Sequence, residues 1–573
     1  MNMFRGILKT DEILPFPKAL SPQQAQQLSE MIESFEKFAK TEVNSVKADQ
    51  DGGFEPRILS KLAEFGAYGL QVSEVYDGLG LSNTEYARLV SIIGAYDLAL
   101  GVHLGAHQSI GYKGIVMFGT KEQKEKYLPR LASGKSIAAY CLTEPSSGSD
   151  VSSIQTRAEL SPDKKHYILN GTKIWISNGG LADVFTIFAQ TPIKEIDGTI
   201  RNRITAFIVE RGFGGLTHGE PEKKMGIHAS NTVTVYLDNC KVPVENVLGG
   251  VGEGFKIAVR ILNQGRFGMA AAMSGTMRAA IRQAAEHTVQ RIQFGRNLNE
   301  FENVQEKLAT MAMRQYATEA MAYALSGSMD MGAEDFQVEA AISKIYSSES
   351  AWYCVDEAIQ ILGGMGYMQN SGLERVLRDL RVFRIFEGAN DVLRLFVSLT
   401  GLNYAGKHLA VIVRSPASML QMSNRLLKNN LGLPGDSRVL KTKLPPGLAR
   451  PGQLTGDAID AFGIACYKIL RRYRKSLINE QFRLSRLADA AIQIYAMMCS
   501  VSRAAQSIEQ NSTTADFETR MATLICTQGY EQVKRNLCES CKFDEDTAFH
   551  LIKSLSADIC SNGGLITPPP IGF

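Results

Sequence analysis

The 573-residue chain has few of the features that would assign a protein to a simple class. Its net charge is only +3, which gives no global reason to expect nucleic-acid binding. No stretch approaches the roughly 20 apolar residues needed to span a bilayer. Gly268 to Met277 is short and bracketed by Arg266 and Arg278, and Ala490 to Val501 is also too short. The nine cysteines are scattered, and the single C-x-x-C, Cys538 to Cys541, has no second pair to complete a zinc site. Reduced, structural thiols are expected. The opening Met1-Asn2-Met3-Phe4-Arg5-Gly6 has neither the apolar core of a secretory signal nor the basic pattern of a transit peptide. Histidine is scarce, and His103 and His107, four apart, lack the Glu that a zinc-protease helix carries between them, so packing roles are expected.

What remains is ordinary globular composition at a length beyond one hydrophobic core, so several domains are expected. Ser21-Pro22-Gln23-Gln24 is a capping box with Pro at the first helical position, and Ser82 with Glu85 repeats the signal. Residues 1–136 therefore read as an N-terminal helical domain. The pattern then changes. His166 to Leu169, Asn170-Gly171 and Thr172 to Ser177 read as a β-hairpin, because Asn-Gly suits a two-residue turn. With Val184 to Thr191, Ile204 to Glu210 and Thr232 to Leu237 they imply a central antiparallel β domain over 137–254. Gly250-Val251-Gly252-Glu253-Gly254 precedes a helix but lacks the parallel βαβ context of a dinucleotide fingerprint, so it reads as a turn feeding a long helix. Helical patterns near 255–290, 301–330, 337–362 and 390–409 suggest a bundle over 255–410. A Pro/Gly-marked, irregular stretch follows at 411–453, and helical pattern resumes over 454–573. The fold class is α+β, multidomain.

The stretch 411–453 holds seven basic residues (Arg414, Arg425, Lys428, Arg438, Lys441, Lys443, Arg450) against one acidic, Asp436, with leucines and methionines between them. That composition suits either a solvated linker or a peripheral contact with an anionic membrane.

Three segments carry chemistry. Tyr140 to Asp150 is dense in hydroxyls and turn formers, and Trp175-Ile176-Ser177 ends a strand. In Ile385-Phe386-Glu387-Gly388-Ala389-Asn390-Asp391 a carboxylate follows an apolar run; partial desolvation would raise its pKa and suit it to act as a base. Together with Arg291-Ile292-Gln293-Phe294-Gly295 and Gln360-Ile361-Leu362-Gly363-Gly364-Met365-Gly366, in this order, the chain resembles the acyl-CoA dehydrogenase family. Leu104 to Gly111, Glu374 to Asp379, Arg486 to Asp489 and the additional C-terminal helical domain resemble the branch acting on very long acyl chains.

The resemblance implies an N-terminal helical domain, a β domain and a helical bundle around FAD. It implies α,β-dehydrogenation of a long-chain acyl-CoA to the enoyl-CoA, with electrons passed to electron-transfer flavoprotein. Glu387 would be the catalytic base. Tyr140, Thr143, Ser149, Trp175, Ile176 and Ser177 would line the flavin, with Ala389, Asn390 and Asp391 beside it. Arg291, Phe294, Gln360, Gly363 and Gly364 would reach the FAD of a second subunit, implying a homodimer. Ser149, Asn263, Arg266 and Gly388 would contact the acyl-CoA, and Gly101 and Gly105 would open the acyl pocket. No metal is implied. Two departures stand out: Ala389 replaces a Thr, removing a hydroxyl beside the flavin, and Asn263 replaces an Asp common among relatives. The resemblance also favours the membrane reading of 411–453, at the matrix face of the mitochondrial inner membrane. An acyl-CoA oxidase, or an assembly factor of the respiratory chain built on the same fold, would share most of these motifs.

Overall fold

A computed structural model describes residues 1–17, 20–412, 439–542 and 547–571. It divides into two compact units, Leu14–Leu393 and a second made of Met1–Ile13 with Arg394–Phe573. Among the described residues, no helix is long and apolar enough to cross a membrane.

In the first unit both capping boxes form. Ser21 Oγ accepts from the Gln24 N–H at 3.2 Å while Gln24 Oε1 accepts from the Ser21 N–H at 3.0 Å, starting helix Pro22–Glu42. Ser82 and Glu85 do the same at the head of helix Asn83–Tyr96. Reciprocal caps of this kind satisfy two amides that a helix end otherwise leaves orphaned. The Asn83–Tyr96 helix crosses the 37-residue helix Gly254–Gln290 with backbones in contact. A Cβ added to Gly94 would collide with the Ala272 carbonyl, and one added to Gly275 with the Ser91 carbonyl. Thr276 Oγ1 donates across the crossing to the Gly94 carbonyl at 2.6 Å. Helices Glu302–Asp330 and Gln337–Leu362 complete the bundle, and their starts match the apolar periodicity to within a residue or two.

The β region is one sheet of eight strands: β1 (Ala138–Cys141), β2 (Arg157–Leu160), β3 (His166–Ser177), β4 (Val184–Lys194), β5 (Ile200–Glu210), β6 (Leu216–His218), β7 (Thr232–Pro243) and β8 (Val247–Leu248). Its order is β6-β7-β3-β2-β4-β5-β8, with β1 laid parallel on β4. Pairing is otherwise antiparallel apart from a single parallel bridge between β2 and β4, Arg157 with Gln190.

The expected hairpin at Asn170-Gly171 does not form. Residues 166–177 are one strand, and the β3–β7 ladder slips between Leu169 and Gly171, where Asn170 faces two residues of β7, Asp238 and Asn239, so the bulge lies in β7. The Asn side chain caps the slip by accepting from the Asn239 N–H at 2.7 Å. A Cβ at Gly171 would press on Thr156, just ahead of the neighbouring strand β2. The glycine therefore permits a close strand approach rather than a turn, the other common use of Gly in a strand.

The second unit is helical, built on Ala449–Tyr473, Gln481–Glu509, Ala515–Ser540 and Thr547–Asn562. A short 3₁₀ turn at Asn2–Arg5 buries Phe4 edge-on against Phe462, with ring centroids 5.0 Å apart. Residues 413–438 of the basic stretch lie outside the described residues. Its last part is not irregular. Val439–Lys443 and Pro446–Leu448 are helical turns, the Ala449 helix starts before 453, and Leu440, Leu444 and Leu448 are buried. Burial of those three leucines outweighs the Pro445-Pro446 signal that marked the segment as a linker. All nine cysteines are free thiols, six of them buried.

Because Gly275 meets backbone rather than a movable side chain, Gly275→Val is expected to cost at least about 1–3 kcal/mol, as core overpacking does. Gly105→Val, which would enter open space, is expected to be close to neutral. Chemical denaturation followed by circular dichroism compares the two.

Candidate active site

The site is organised by a short turn. Glu387 and Gly388 follow a 3₁₀ segment, Arg381–Arg384, and precede helix Asn390–Ile412. Both residues have positive φ, +52° and +97°. For a glutamate such a conformation costs on the order of 1–3 kcal/mol and persists only when its surroundings impose it. Gly388 is needed because a Cβ there would lie 3.0 Å from Leu393 Cδ2 and 3.2 Å from Arg266 Nη2.

Two buried cations hold the turn. Arg266 donates Nε and Nη2 to the Glu387 carbonyl at 3.2 and 3.1 Å, and Nη1 to Asn263 Oδ1 at 2.6 Å. Lys344, fully buried in helix Gln337–Leu362, donates to the next carbonyl, that of Gly388, at 2.8 Å and to Asn390 Oδ1 at 2.9 Å. Asn390 passes the chain on, donating to Ser348 Oγ and Glu349 Oε1, both at 3.0 Å. Thus Arg266 and Asn263, expected to contact acyl-CoA, spend these hydrogen bonds on the protein's own turn, and so does Asn390, expected beside the cofactor. Ala389 is half-buried and Asp391 exposed.

The Glu387 carboxyl is left unusually free: Oε2 is buried and has no hydrogen-bond partner. Gly265 flanks it, a Cβ there falling 3.5 Å from Oε2. Burial raises the Glu387 pKa above the usual carboxylate range, while Arg266 and Lys344 oppose the rise. The same burial lowers Arg266 to about 10 and Lys344 to about 7, the latter against the pull of Glu387. Near the carboxyl, Tyr86 OH pairs with Ser109 Oγ at 2.6 Å, and burial lifts that phenol to about 12. The sequence reading assigns no site role to either residue, or to Lys344. A lysine inside Ala340-Ala341-Ile342-Ser343-Lys344-Ile345 is nonetheless a legible anomaly, because a charge in a buried apolar run needs partners.

Beside the turn, Tyr140 on β1 is buried, its ring 5.1 Å from Phe188 and its OH 3.4 Å from the Ala258 carbonyl. The 142–150 loop is tied to β3 from below. Lys173 Nζ, wholly buried, donates to Glu144 Oε1 at 2.7 Å, to the Phe188 carbonyl at 2.7 Å and to the Leu142 carbonyl at 3.2 Å. Above them the Ile174 N–H donates to the Thr143 carbonyl at 3.0 Å. The β3–β7 ladder slips again between Lys173 and Ile176, and Trp175 takes φ +57° there. Its indole is 64% exposed while Ile176 stays buried. A bulge that turns a tryptophan outward, with half-buried Thr143 and Ser177 beside it, offers a flat apolar face edged by hydroxyls. That chemistry fits a flavin ring. Ser149, further along the loop, is exposed.

Helix Leu98–Gly105 continues as one π-helical turn, Ala106–Gly111, which carries Ser109 toward Tyr86; such turns recur at functional sites. A Cβ at Gly105 would meet nothing within 4 Å, and one at Gly101 only Ile93 Cγ2 at 3.6 Å. These glycines thus do not serve a close helix–helix contact. His103 and His107 are packing residues. His103 Nδ1 donates to Asn178 Oδ1 at 3.0 Å and Nε2 accepts from Tyr68 OH at 3.1 Å. His107 Nδ1 accepts from the Ala138 N–H at 2.9 Å and Nε2 donates to the Leu131 carbonyl at 3.0 Å. Burial lowers them to about 4 and about 3.

Five expected residues lie elsewhere on the surface of this unit. Arg291 and Phe294 occupy a small hairpin, Ile292–Gln293 with Arg296–Asn297, and Phe294 is 95% exposed. Gln360, Gly363 and Gly364 close helix Gln337–Leu362 and are exposed too.

Since the folded state raises the Glu387 pKa, its ionisation weakens the fold as pH climbs past the unfolded value of about 4.3. Glu387→Gln is therefore expected to raise the thermal midpoint of flavin-free protein at pH 7, with the gain vanishing near pH 4. Differential scanning calorimetry across that range checks the sign.

Four family models match the chain in succession: acyl-CoA dehydrogenase N-terminal domain over 25–135, middle domain over 139–240 and C-terminal domain over 252–400, then the ACAD9/ACADV C-terminal domain over 446–565. Very long-chain specific acyl-CoA dehydrogenase, mitochondrial, is 49% identical in Homo sapiens and 50% in Mus musculus, each alignment covering 100% of this chain and 89% of the relative. Among solved structures, an acyl-CoA dehydrogenase complexed with FAD from Bacillus anthracis superposes with TM-score 0.83 at 30% identity, covering 97% of this chain and 94% of that one. Butyryl-CoA dehydrogenase from Megasphaera elsdenii gives 0.61 at 37%, covering 66% and 98%. With these domains matched in order and a relative 49% identical over its whole length, this chain belongs to the acyl-CoA dehydrogenase family.

Proposed function

We propose that this protein is a FAD-dependent dehydrogenase of long and very long acyl-CoA thioesters, forming the trans-2-enoyl-CoA, with Glu387 as the base that removes the α-proton. The observation that carries the assignment is the Glu387 carboxyl, buried, raised in pKa and unpartnered at Oε2, on a turn held by Arg266 and Lys344.

The α-proton of a thioester is weakly acidic, so its removal needs a base placed in contact and an electrophile on the carbonyl. A carboxylate whose Oε2 accepts no hydrogen bond from the protein keeps that oxygen's lone pairs for the substrate. Its desolvation strengthens it as a base by disfavouring the charged form. The backbone N–H of Glu387 would polarise the thioester carbonyl, as an oxyanion donor does. Thr143, Trp175 and Ser177 would hold the flavin ring, with Tyr140 and Ile176 packed beneath. When bound, FAD supplies the two-electron acceptor for the β-hydride. The protein's part is to orient the Cα–Cβ bond between Glu387 and that face and to keep water out.

Arg291, Phe294, Gln360, Gly363 and Gly364 are proposed to reach the cofactor of a second subunit in a homodimer. The basic stretch 411–453 is proposed to attach the protein peripherally to the matrix face of the mitochondrial inner membrane, supported by its charge excess. Electron-transfer flavoprotein is the proposed acceptor.

Glu387→Gln is expected to retain FAD but to lose flavin bleaching by palmitoyl-CoA under anaerobic conditions; normal bleaching in the variant refutes the assignment. With wild type, palmitoyl-CoA is expected to drive reduction of electron-transfer flavoprotein with little oxygen uptake, which an oxidase would reverse.

The space beside Gly101 and Gly105 is proposed to receive the distal acyl chain. Replacing both with leucine is expected to lower kcat/KM for palmitoyl-CoA relative to octanoyl-CoA by roughly tenfold or more, the scale of steric discrimination in an apolar pocket. Steady-state kinetics over a chain-length series tests this, since equal loss at every length would mean damaged packing.

A further inference from the structure

We propose that Lys344 is a positioning residue for the reaction: its ammonium, anchored on the Gly388 carbonyl and Asn390, fixes the Glu387 turn and keeps the base ionised for proton abstraction. The inference rests on Glu387 being the base.

The reasoning starts from cost. Lys344 is 0% exposed, and its immediate neighbours Ser343 and Ile345 are equally buried. A lone ammonium in such a place is strongly disfavoured unless it is paired and hydrogen-bonded. Yet its hydrogen bonds go to two neutral oxygens, the Gly388 carbonyl at 2.8 Å and Asn390 Oδ1 at 2.9 Å. Both acceptors belong to the stretch that begins with Glu387. A cation that served only to fill the core would be replaced without loss by a methionine; this one is aimed at the turn.

Its geometry complements that of Arg266. One cation takes the Glu387 carbonyl from helix Gly254–Gln290, the other takes the Gly388 carbonyl from helix Gln337–Leu362. Two successive positive-φ residues are thereby gripped at two successive carbonyls. Rotation of the peptide between them would break one grip or the other, so the direction in which the Glu387 side chain leaves the backbone is fixed.

Charge completes the argument. The charged groups facing Lys344 are Glu387, Arg266 and, on its own helix, Glu349. Lys344 and Arg266 both favour the ionised carboxylate, against the burial that disfavours it. Lys344 is itself pulled down to about 7 by burial, so its hold on the turn is strongest below that pH. Removing its charge must raise the Glu387 pKa, and the acidic limb of the rate profile, where the base deprotonates, must move to higher pH.

The test uses the purified FAD holoenzyme and anaerobic stopped-flow reduction by palmitoyl-CoA. Lys344→Met is expected to slow flavin reduction roughly 10- to 100-fold, the cost of a slightly misplaced catalytic group. The palmitoyl-CoA concentration that half-saturates reduction should change less than about threefold, because Lys344 is 0% exposed and enclosed by protein. The acidic limb should shift upward in pH, a change that lost packing alone would not produce. A folded, flavin-loaded Lys344→Met enzyme with an unmoved acidic limb overturns the proposal. Should that variant fail to fold or to hold flavin, Asn390→Ala, which removes one Lys344 acceptor, decides: a smaller upward shift supports the proposal, and none overturns it. Glu387→Gln run in parallel separates the two readings, because normal bleaching there would remove the base assignment itself, whereas a dead Glu387→Gln with an unmoved limb in the lysine or asparagine variant removes only the role of Lys344.

Discussion

The grip of two buried cations on consecutive carbonyls is the constraint around which the first unit is arranged. A glutamate at positive φ with an unpaired oxygen is unfavourable twice over, in backbone strain and in desolvation. Both Arg266 and Lys344 must be buried to reach it, and each adds a desolvation cost of its own. Such an arrangement survives only on a rigid frame. The frame is the bundle: the two helices that carry the cations pack together, and the longer one is locked to Asn83–Tyr96 by a backbone crossing through Gly94 and Gly275. Instability is concentrated at one carboxyl, and packing elsewhere offsets it.

A second device of the same kind supports the strand side. Lys173, buried under the loop that carries Thr143, unites Glu144 with two main-chain carbonyls. The bulge that follows turns Trp175 out while Ile176 stays in the core. In both places a buried lysine fixes irregular backbone from behind, and the exposed or unpaired group it supports faces the site. The proposed chemistry thus depends on buried lysines bonded to the protein's own loop and turn.

How much of this could be read beforehand follows from the range of each signal. Capping boxes are local, and both formed as written. Helix periodicity is local as well, and the long helices fell within a few residues of expectation. Asn170-Gly171 does not form the expected turn because a glycine also serves a close strand approach; the choice is made by β7, distant in sequence, and by Thr156, against which Gly171 packs. The segment after 439 failed for a like reason, since a proline pair says nothing about leucines that find a core. Glu387 was legible through its motif. Its holders are only half legible: the resemblance marks Arg266 for a substrate contact while its bonds to the turn depend on packing far along the chain, and Lys344 is marked only by a charge within an apolar run.

The second unit raises a matter of timing. Its core joins Phe4 to Phe462, and a Cβ at Gly463 would strike the backbone of Gly6, so the first residues fit closely among the last helices. A chain emerging from the ribosome offers residues 1–13 long before their partners exist. The intervening Leu14–Leu393 unit is compact by itself, so its folding can precede that contact. The early segment must wait through some four hundred residues of synthesis, and closing so large a loop costs only slowly growing entropy but delays the contact. The Phe4–Phe462 contact is therefore a late event of folding, and a chain cut before residue 462 leaves Phe4 without the ring it packs against.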